Sequence, residues 1–199
     1  MVDSDVATIQ AVLRGEIDRY AVLVNKYQQP ALRLAFSFLG NYEDAKDASQ
    51  DAFVRAYQAL GRFRRDAKFS TWFYRIVVNI CKDAWKRRAR RPHIVAQVGA
   101  VQCATPDGVT MFIDVDDPAA GPREQLANRE LGRRLSDAIG LLPMKQRTAF
   151  LLHHVHGLPL DEVAPVMGCR TGTVKSHLFR ATERLRVSLA PWIAQGGHG

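Results

Sequence analysis

The chain has 199 residues, enough for one domain or two small ones, and its 47% hydrophobic content is ample for packed cores. No segment approaches the roughly 20 apolar residues of a membrane span, and the N-terminus lacks a cationic start followed by an apolar run, which argues against direct membrane insertion and a secretory signal. The net charge of +8 argues for a polyanionic partner, and three scattered cysteines without a CxxC pair point to a reducing, cytoplasmic setting.

The charge is unevenly placed. Residues 1–61 are net −2, 62–91 net +9, 92–128 net −4 and 129–199 net +5. Two basic blocks across an acidic spacer suggest two nucleic-acid contacts on one chain. The first 39 residues read as helices, with Val6, Ile9, Val12 and Leu13, then Ile17, Tyr20, Val24 and Tyr27, at helical spacing, and with Pro30 opening a fresh stretch. Gly40-Asn41 reads as a turn. Asn41 then caps a helix to Leu60, with Glu43 and Asp44 in its first turn, where the helix dipole favours acids. Ala45, Ala48, Ala52, Phe53, Ala56, Tyr57 and Leu60 form its apolar stripe; Asp44, Asp47 and Asp51 share another face with Gln50 beside them. That ridge reads either as a solvated face or as a docking surface for a basic partner.

Gly61 to Arg91 carries eleven Lys/Arg against two acids, interleaved with Phe63, Phe69, Trp72, Phe73, Tyr74 and Trp85. Cations neutralise phosphates, and aromatic rings stack on bases that opened strands expose. Some of these rings must be core. The near-absence of acids sets the stretch apart from an ordinary solvated face, which mixes signs. The spacing predicts a basic loop, a cap at Ser70 or Thr71, and a helix from Trp72 to about Arg90 that Pro92 stops. Asn79 stands amid Ile76, Val77, Val78 and Ile80, which predicts a buried amide bonded internally, with Asp83 one turn on, or an amide aimed at a base edge.

From His93 to Pro122 no period persists, and Gly and Pro recur; the stretch reads as a linker, with Thr110–Val115 as a possible brief extended segment and Cys103 as the plausible exposed thiol. Beyond it, Leu126, Leu131, Leu135, Ala138, Ile139 and Leu142 line a helix ended by Pro143, and Gln146–Val155 form another ended by Gly157. Leu158–Arg186 reads as helix, turn and helix: Ala164, Gly168 and Val174 stand where a helix-turn-helix needs a small residue, a tight turn and an apolar plug. A plain helical hairpin is the bland alternative; the basic, acid-poor second helix argues against it.

Two sets of motifs, Asp44–Tyr57 with Phe63–Asn79, and Leu142–Leu152 with Gly157–Ala164 and Gly172–Leu178, together resemble an extracytoplasmic-function (ECF) sigma factor of the sigma-70 family. The resemblance covers most of the chain. It implies an all-α fold of two small helical domains joined by a flexible acidic linker: region two over 1–91, linker over 92–127, and region four over 128–199. It implies a non-enzymatic, cofactor-free specificity subunit that binds core RNA polymerase, recognises the minus-ten and minus-thirty-five promoter elements, opens DNA, and is controlled by an anti-sigma factor. Its implied partners are the beta-prime clamp and beta flap of the polymerase and promoter DNA.

The resemblance assigns core-polymerase docking to Asp44, Asp47, Gln50, Asp51 and Arg55. It assigns the minus-ten element to Arg62, Phe63, Arg64, Lys68, Phe69, Ser70, Arg75, Asn79, Lys86, Arg87 and Arg88, with Arg90 and Arg91 suited to backbone contacts; the loop Phe63–Ser70 and Asn79 line a pocket for a flipped base, and Trp72 is expected in the core. It assigns the minus-thirty-five element to Arg170, Thr171, Thr173, Lys175, Ser176, His177, Phe179, Arg180 and Arg184. His177 departs from the family's usual arginine, and Pro165 falls inside the first helix of the motif, which predicts a late start or a kink. His153, His154 and His156 invite a metal reading, but no Cys or acid lies nearby in sequence to complete a site, so no metal is expected. Cys81 and Cys169 are expected to be buried and inert. A stand-alone helix-turn-helix regulator is the rival reading. An enzyme is not expected, since no phosphate loop, nucleophile elbow or HExxH motif occurs.

Overall fold

A computed structural model of the chain describes residues 4–64, 67–89 and 122–196, and the side chains of all of these except 4, 88–89, 122–129 and 193–196. The expected extended segment at Thr110–Val115, the exposed thiol of Cys103 and most of the 92–127 linker lie outside the described residues. Among the described residues the fold is all helix: α1 (Ser4–Leu13), a 3₁₀ turn (Ile17–Arg19), α2 (Tyr20–Leu39), α3 (Tyr42–Ala59), α4 (Phe69–Ala89), α5 (Pro122–Gly140), α6 (Met144–Phe150), a π-turn (Leu151–Val155), α7 (Leu160–Met167) and α8 (Thr171–Gly196).

The N-terminal bundle packs α2, α3 and α4 against one another, with α1 laid on α2. Its contact with α3 is made by small residues: Ala45, Ala48, Ala52 and Ala56 are all buried, which brings the helix backbones close. Gly40 ends α2 in the left-handed region at φ 67°, where an L side chain would be strained, and its N–H donates to the Phe36 carbonyl. Asn41 then caps α3, its Oδ1 accepting from the Asp44 N–H at 3.0 Å, as the sequence predicts. Pro30, expected to open a fresh helix, lies inside a continuous α2. A proline there removes one helical donor, and the flanking Tyr27, Ala31 and Leu34, all buried, hold the helix through it. α1 is tied down by a group that sequence periodicity does not flag: the Asp5 carboxylate, 4% exposed, accepts from Lys26 Nζ and from the Tyr27 hydroxyl.

α4 starts at Phe69, three residues before the expected Trp72. Phe69, Phe73, Val77 and Ile80 recur at helical spacing and are buried. Phe69 is 1% exposed and packs on Tyr27, Phe63, Trp72 and Phe73 at 5.4–5.9 Å between ring centroids. Phe69 is therefore a core residue and its ring is closed to DNA, while Trp72, expected in the core, is half-buried at the edge of that cluster. Asn79 is exposed, which overturns the buried, internally bonded alternative and leaves the other one open.

In the C-terminal unit, α5 reaches back to Pro122, within the stretch read as linker; a proline suits a first helical turn because its missing N–H would go unpaired there. α6 and α7 pack on α8. The helix-turn-helix forms as expected. Ala164 and Val174 are buried, and Gly168 turns the chain at φ 66°, with the Cys169 N–H donating to the Ala164 carbonyl at 3.0 Å. Pro165 is accommodated in α7 with an exposed ring. The two units touch: α7 lies along α4, and the π-turn meets α2.

Candidate nucleic-acid interface

Three surfaces carry the predicted residues. On α3, Asp47 and Gln50 are exposed, Asp44 and Asp51 half-buried, and Arg55 exposed. Arg55 Nη2 lies 2.8 Å from Asp51 Oδ2, an exposed pair one turn apart that contributes little to stability and leaves both groups presentable to a partner. The face is not purely acidic. Val54 is 54% exposed and Tyr57 40%. Tyr20 braces Tyr57 edge-on at 5.1 Å and donates to the Phe53 carbonyl at 2.7 Å. Sequence reasoning placed Tyr57 in the buried stripe; its position five residues after Ala52, off the alanine row, is the signal that separates it.

On α4, Trp72, Arg75, Ile76, Asn79, Asp83 and Lys86 fall on one strip by helical spacing, distinct from the buried Phe69–Ile80 strip. Arg75, Asn79, Asp83 and Lys86 are exposed on it, and Trp72 and Ile76 are half-buried. Phe63 sits beside Trp72 at 5.3 Å, so two partly open rings stand at the base of the strip, over the closed Phe69. Arg62, Arg64 and Lys68 in the preceding loop and Arg87 on the helix are exposed, and Ser70 is half-buried. The side chain of Arg88 and the whole of Arg90 and Arg91 lie outside the described residues. Lys86 is 3.9 Å from Asp83, so one cation of the strip is partly neutralised within the helix.

On α8, Arg170 precedes the first turn, and Thr173, Lys175, Ser176, Phe179, Arg180 and Arg184 are exposed along one side, opposite buried Val174, Leu178, Ala181 and Leu185. Thr171 and His177 are half-buried. Phe179 is 70% exposed. Burial, followed by Lys145 and Arg180 nearby, lowers the pKa of the His177 imidazole.

The three histidines have separate structural tasks. His153 Nδ1 donates to the Leu158 carbonyl at 2.8 Å, closing the π-turn. His154 packs against Phe150 at 4.9 Å between ring centroids, with the planes tilted by 44°. His156 reaches the other unit: its Nε2 lies 3.1 Å from Ser37 Oγ, which itself donates to the Leu34 carbonyl. Among the described residues no group of three His, Cys, Asp or Glu is arranged to hold a metal ion. Cys81 is buried and its thiol is pushed up to about 12 by burial, so it is unreactive while the fold is closed; Cys169 is half-buried.

Burial, with Arg33 close by, pushes His156 down to about 4. A folded-state pKa below the unfolded value of about 6.5 means the unfolded or separated form binds more protons between those two values. The contribution of neutral His156 is full above pH 6.5 and is lost as pH falls towards 4. The loss of thermal stability across that window should shrink in His156→Gln; an identical pH profile in the variant would rule the residue out as its source.

Two family models match: Sigma-70 region 2 over residues 23–91 and Sigma-70, region 4 over residues 132–185. The RNA polymerase sigma-H factor of Pseudomonas aeruginosa is 34% identical over 97% of both chains. The ECF RNA polymerase sigma factor SigW of Bacillus subtilis is 32% identical over 91% of this chain and 94% of its own, and the ECF RNA polymerase sigma-E factor of Escherichia coli K12 is 31% identical over 96% of both. Among solved structures, CnrH in complex with the cytosolic domain of CnrY is similar at a TM-score of 0.66, with 23% identity over 95% of this chain and 99% of that one. The sigma factor RpoE, solved with the anti-sigma factor NepR from Bartonella quintana, is similar at 0.59, with 23% identity over 86% and 96%. These two show a shared fold.

Proposed function

The chain belongs to the ECF group of the sigma-70 family, and from that premise we propose that its three surfaces divide the work of promoter-specific initiation. The α3 face docks on the clamp of core polymerase: Asp47, Gln50 and Asp51 meet its cations, and Val54 and Tyr57 supply an apolar centre that desolvates the contact. The α4 strip holds the opened minus-ten strand. Asn79 reads a base edge, Phe63 and Trp72 form the wall against which an extruded base stacks, and Arg62, Arg64, Arg75 and Lys86 neutralise phosphates. Extruding a base costs a few kcal/mol, and stacking at about 1–3 kcal/mol per base with phosphate neutralisation offsets it. The exposed side of α8 enters the minus-thirty-five major groove, with Arg180 and Lys175 as the hydrogen-bonding cations and Phe179 placed to touch a thymine methyl.

The observation that carries this reading is the exposure of Asn79 between Arg75 and Lys86 on a helix whose aromatic core is closed. An amide in that position has solvent on it and no structural need. Asn79→Ala should leave core binding and thermal stability within experimental error and slow promoter opening about tenfold, seen as permanganate reactivity of minus-ten thymines over time. Opening at the wild-type rate would take Asn79 out of the site.

No described helix is long and apolar enough to cross a membrane. The protein acts in the cytoplasm, where core polymerase is, under a partner of the anti-sigma class; a small apolar-basic polypeptide covering Val54 and Tyr57 beside the α3 acids would compete directly with polymerase.

A further inference from the structure

The first turn of α1 holds a carboxylate inside the protein. Asp5 is 4% exposed, so its charge must be paired where it lies. Lys26 Nζ donates to its Oδ1 at 2.6 Å, and the Tyr27 hydroxyl donates to its Oδ2. The two bonds differ in what they hold. Lys26 reaches in from the surface on a flexible stem, its side chain 46% exposed. Tyr27 is buried and has a rigid ring with two torsions, so a bond at its hydroxyl fixes the whole ring.

That ring is the inner end of an aromatic chain. Tyr27 meets Phe69 at 5.4 Å between centroids and Phe73 at 5.8 Å. Phe69, itself buried, meets Phe63 at 5.9 Å with the planes 88° apart, and Trp72 at 5.6 Å. Phe63 and Trp72 are the half-buried pair, 5.3 Å apart, at the base of the α4 strip. Phe69 thus touches both the ring that Asp5 fixes and the two rings that open to solvent. A close-packed interior yields little, so a change in the tilt of Tyr27 passes to its neighbours and is not taken up by free space.

α1 reaches the same pair from a second side. It lies against the 3₁₀ turn Leu60–Arg62, and Leu13 Cδ2 stands 4.0 Å from the point that a Cβ on Gly61 would occupy. Phe63 leaves that turn directly, its N–H donating to the Leu60 carbonyl at 3.1 Å. The start of α1 therefore meets the wall through Tyr27 and Phe69, and its end through the backbone that carries Phe63. No residue of α1 is among those proposed to touch DNA or polymerase, so its link to the site is one of support.

We propose that Asp5 is a positioning residue for base capture: through its bond to the Tyr27 hydroxyl it sets the tilt of Tyr27 and Phe69, and with them the placing of the Phe63–Trp72 wall. The use of that wall for an extruded base rests on the proposed function; the link from Asp5 to the wall does not. Two measurements on the full-length protein keep them apart. The first needs no polymerase or DNA. Trp72, Trp85 and Trp192 give three indole N–H resonances in the 15N-labelled protein, and the Trp72 signal is identified by its loss in Trp72→Phe. Tyr27→Phe keeps the ring and removes the bond; Asp5→Asn keeps the shape and removes the charge. Both should move the Trp72 resonance and leave that of Trp192 in place. In the second, holoenzyme binds a fluorescent single strand carrying the minus-ten sequence of a transcribed template. Strand affinity should fall about fivefold in both variants, the scale of one hydrogen bond, with affinity for core unchanged. Lys26→Met, which loosens α1 and spares the hydroxyl bond, should keep the wild-type resonance and strand affinity, an outcome that a role in α1 stability alone would not give. A Trp72 resonance that stays put in Tyr27→Phe and Asp5→Asn, a moved resonance with wild-type strand affinity, or a Lys26→Met variant that behaves like the other two would overturn the proposal. If wild-type holoenzyme itself fails to hold the strand, the reading of the α4 strip falls, and the indole resonances decide on their own whether Asp5 sets the wall.

Discussion

Phe69→Ala should destabilise the N-terminal bundle by about 3–5 kcal/mol, the usual cost of removing a fully buried aromatic ring from a core that cannot close over the gap. The ring is 1% exposed, stacks on Phe73 at 5.8 Å with planes 7° apart, and meets Tyr27, Phe63 and Trp72 on its other sides. Four rings lose a partner together, and Tyr27 is also the anchor for Asp5 of α1, so the loss spreads to the N-terminal helix. Guanidinium denaturation of the purified variant reads the effect directly. A variant with wild-type stability and a selective defect in minus-ten binding would return Phe69 to the DNA surface. Phe63 is the contrasting case: half-buried beside Trp72, its truncation should cost less stability and more DNA affinity.

Asp51→Arg should weaken the affinity for core polymerase by at least about tenfold while leaving duplex binding by α8 unchanged. The substitution removes a carboxylate that a cationic partner would meet, and sets a second guanidinium beside Arg55, one turn away, where the ion pair at 2.8 Å now stands. Like-charge juxtaposition across an interface costs more than the loss of one attractive pair. The site is at the surface, so folding is untouched. Affinity for core, measured by fluorescence titration at two salt concentrations, should fall and lose part of its salt dependence; an unchanged affinity would mean the ridge is only a solvated face, and Val54 and Tyr57 would have to carry docking alone.

Much of the fold was legible because its signals are local. Asn41 and Gly40 mark a helix boundary by cap chemistry, Gly168 marks the tight turn, and the alanine row of α3 marks a close packing face; all stand as the sequence implies. The errors on α4 are ones of packing. Two of its stripes have helical spacing, and the bundle buries the one holding Phe69, Phe73, Val77 and Ile80, which leaves Trp72 half-buried and Asn79 exposed. Capping residues Ser70 and Thr71 suggested the later start, but Thr71 is 4% exposed inside the bundle, and tertiary burial of Phe69 overrides the local preference. What could not be read at all is long-range. Nothing in the sequence around Asp5 announces a partner 21 residues away, and nothing around Arg147 announces carbonyls at 37 and 38. An arginine between Gln146 and Thr148 reads as a surface cation until the neighbouring unit is in place. The exposed and buried sides of α8 were the most legible of the three surfaces, because a helix-turn-helix fixes its own geometry within 20-odd residues and leaves no long-range choice.

The central claim is that one chain confers promoter specificity on core polymerase through two separate DNA contacts and opens the minus-ten region. Run-off transcription with purified core, on templates drawn from candidate promoters of the same genome, tests it most directly. The account predicts a transcript that depends on the protein and on core together, lost in Arg180→Ala through the upstream element and slowed in Asn79→Ala at the opening step. No protein-dependent transcript from any template, together with tight duplex binding in the absence of core, would contradict it and leave a helix-turn-helix regulator in its place.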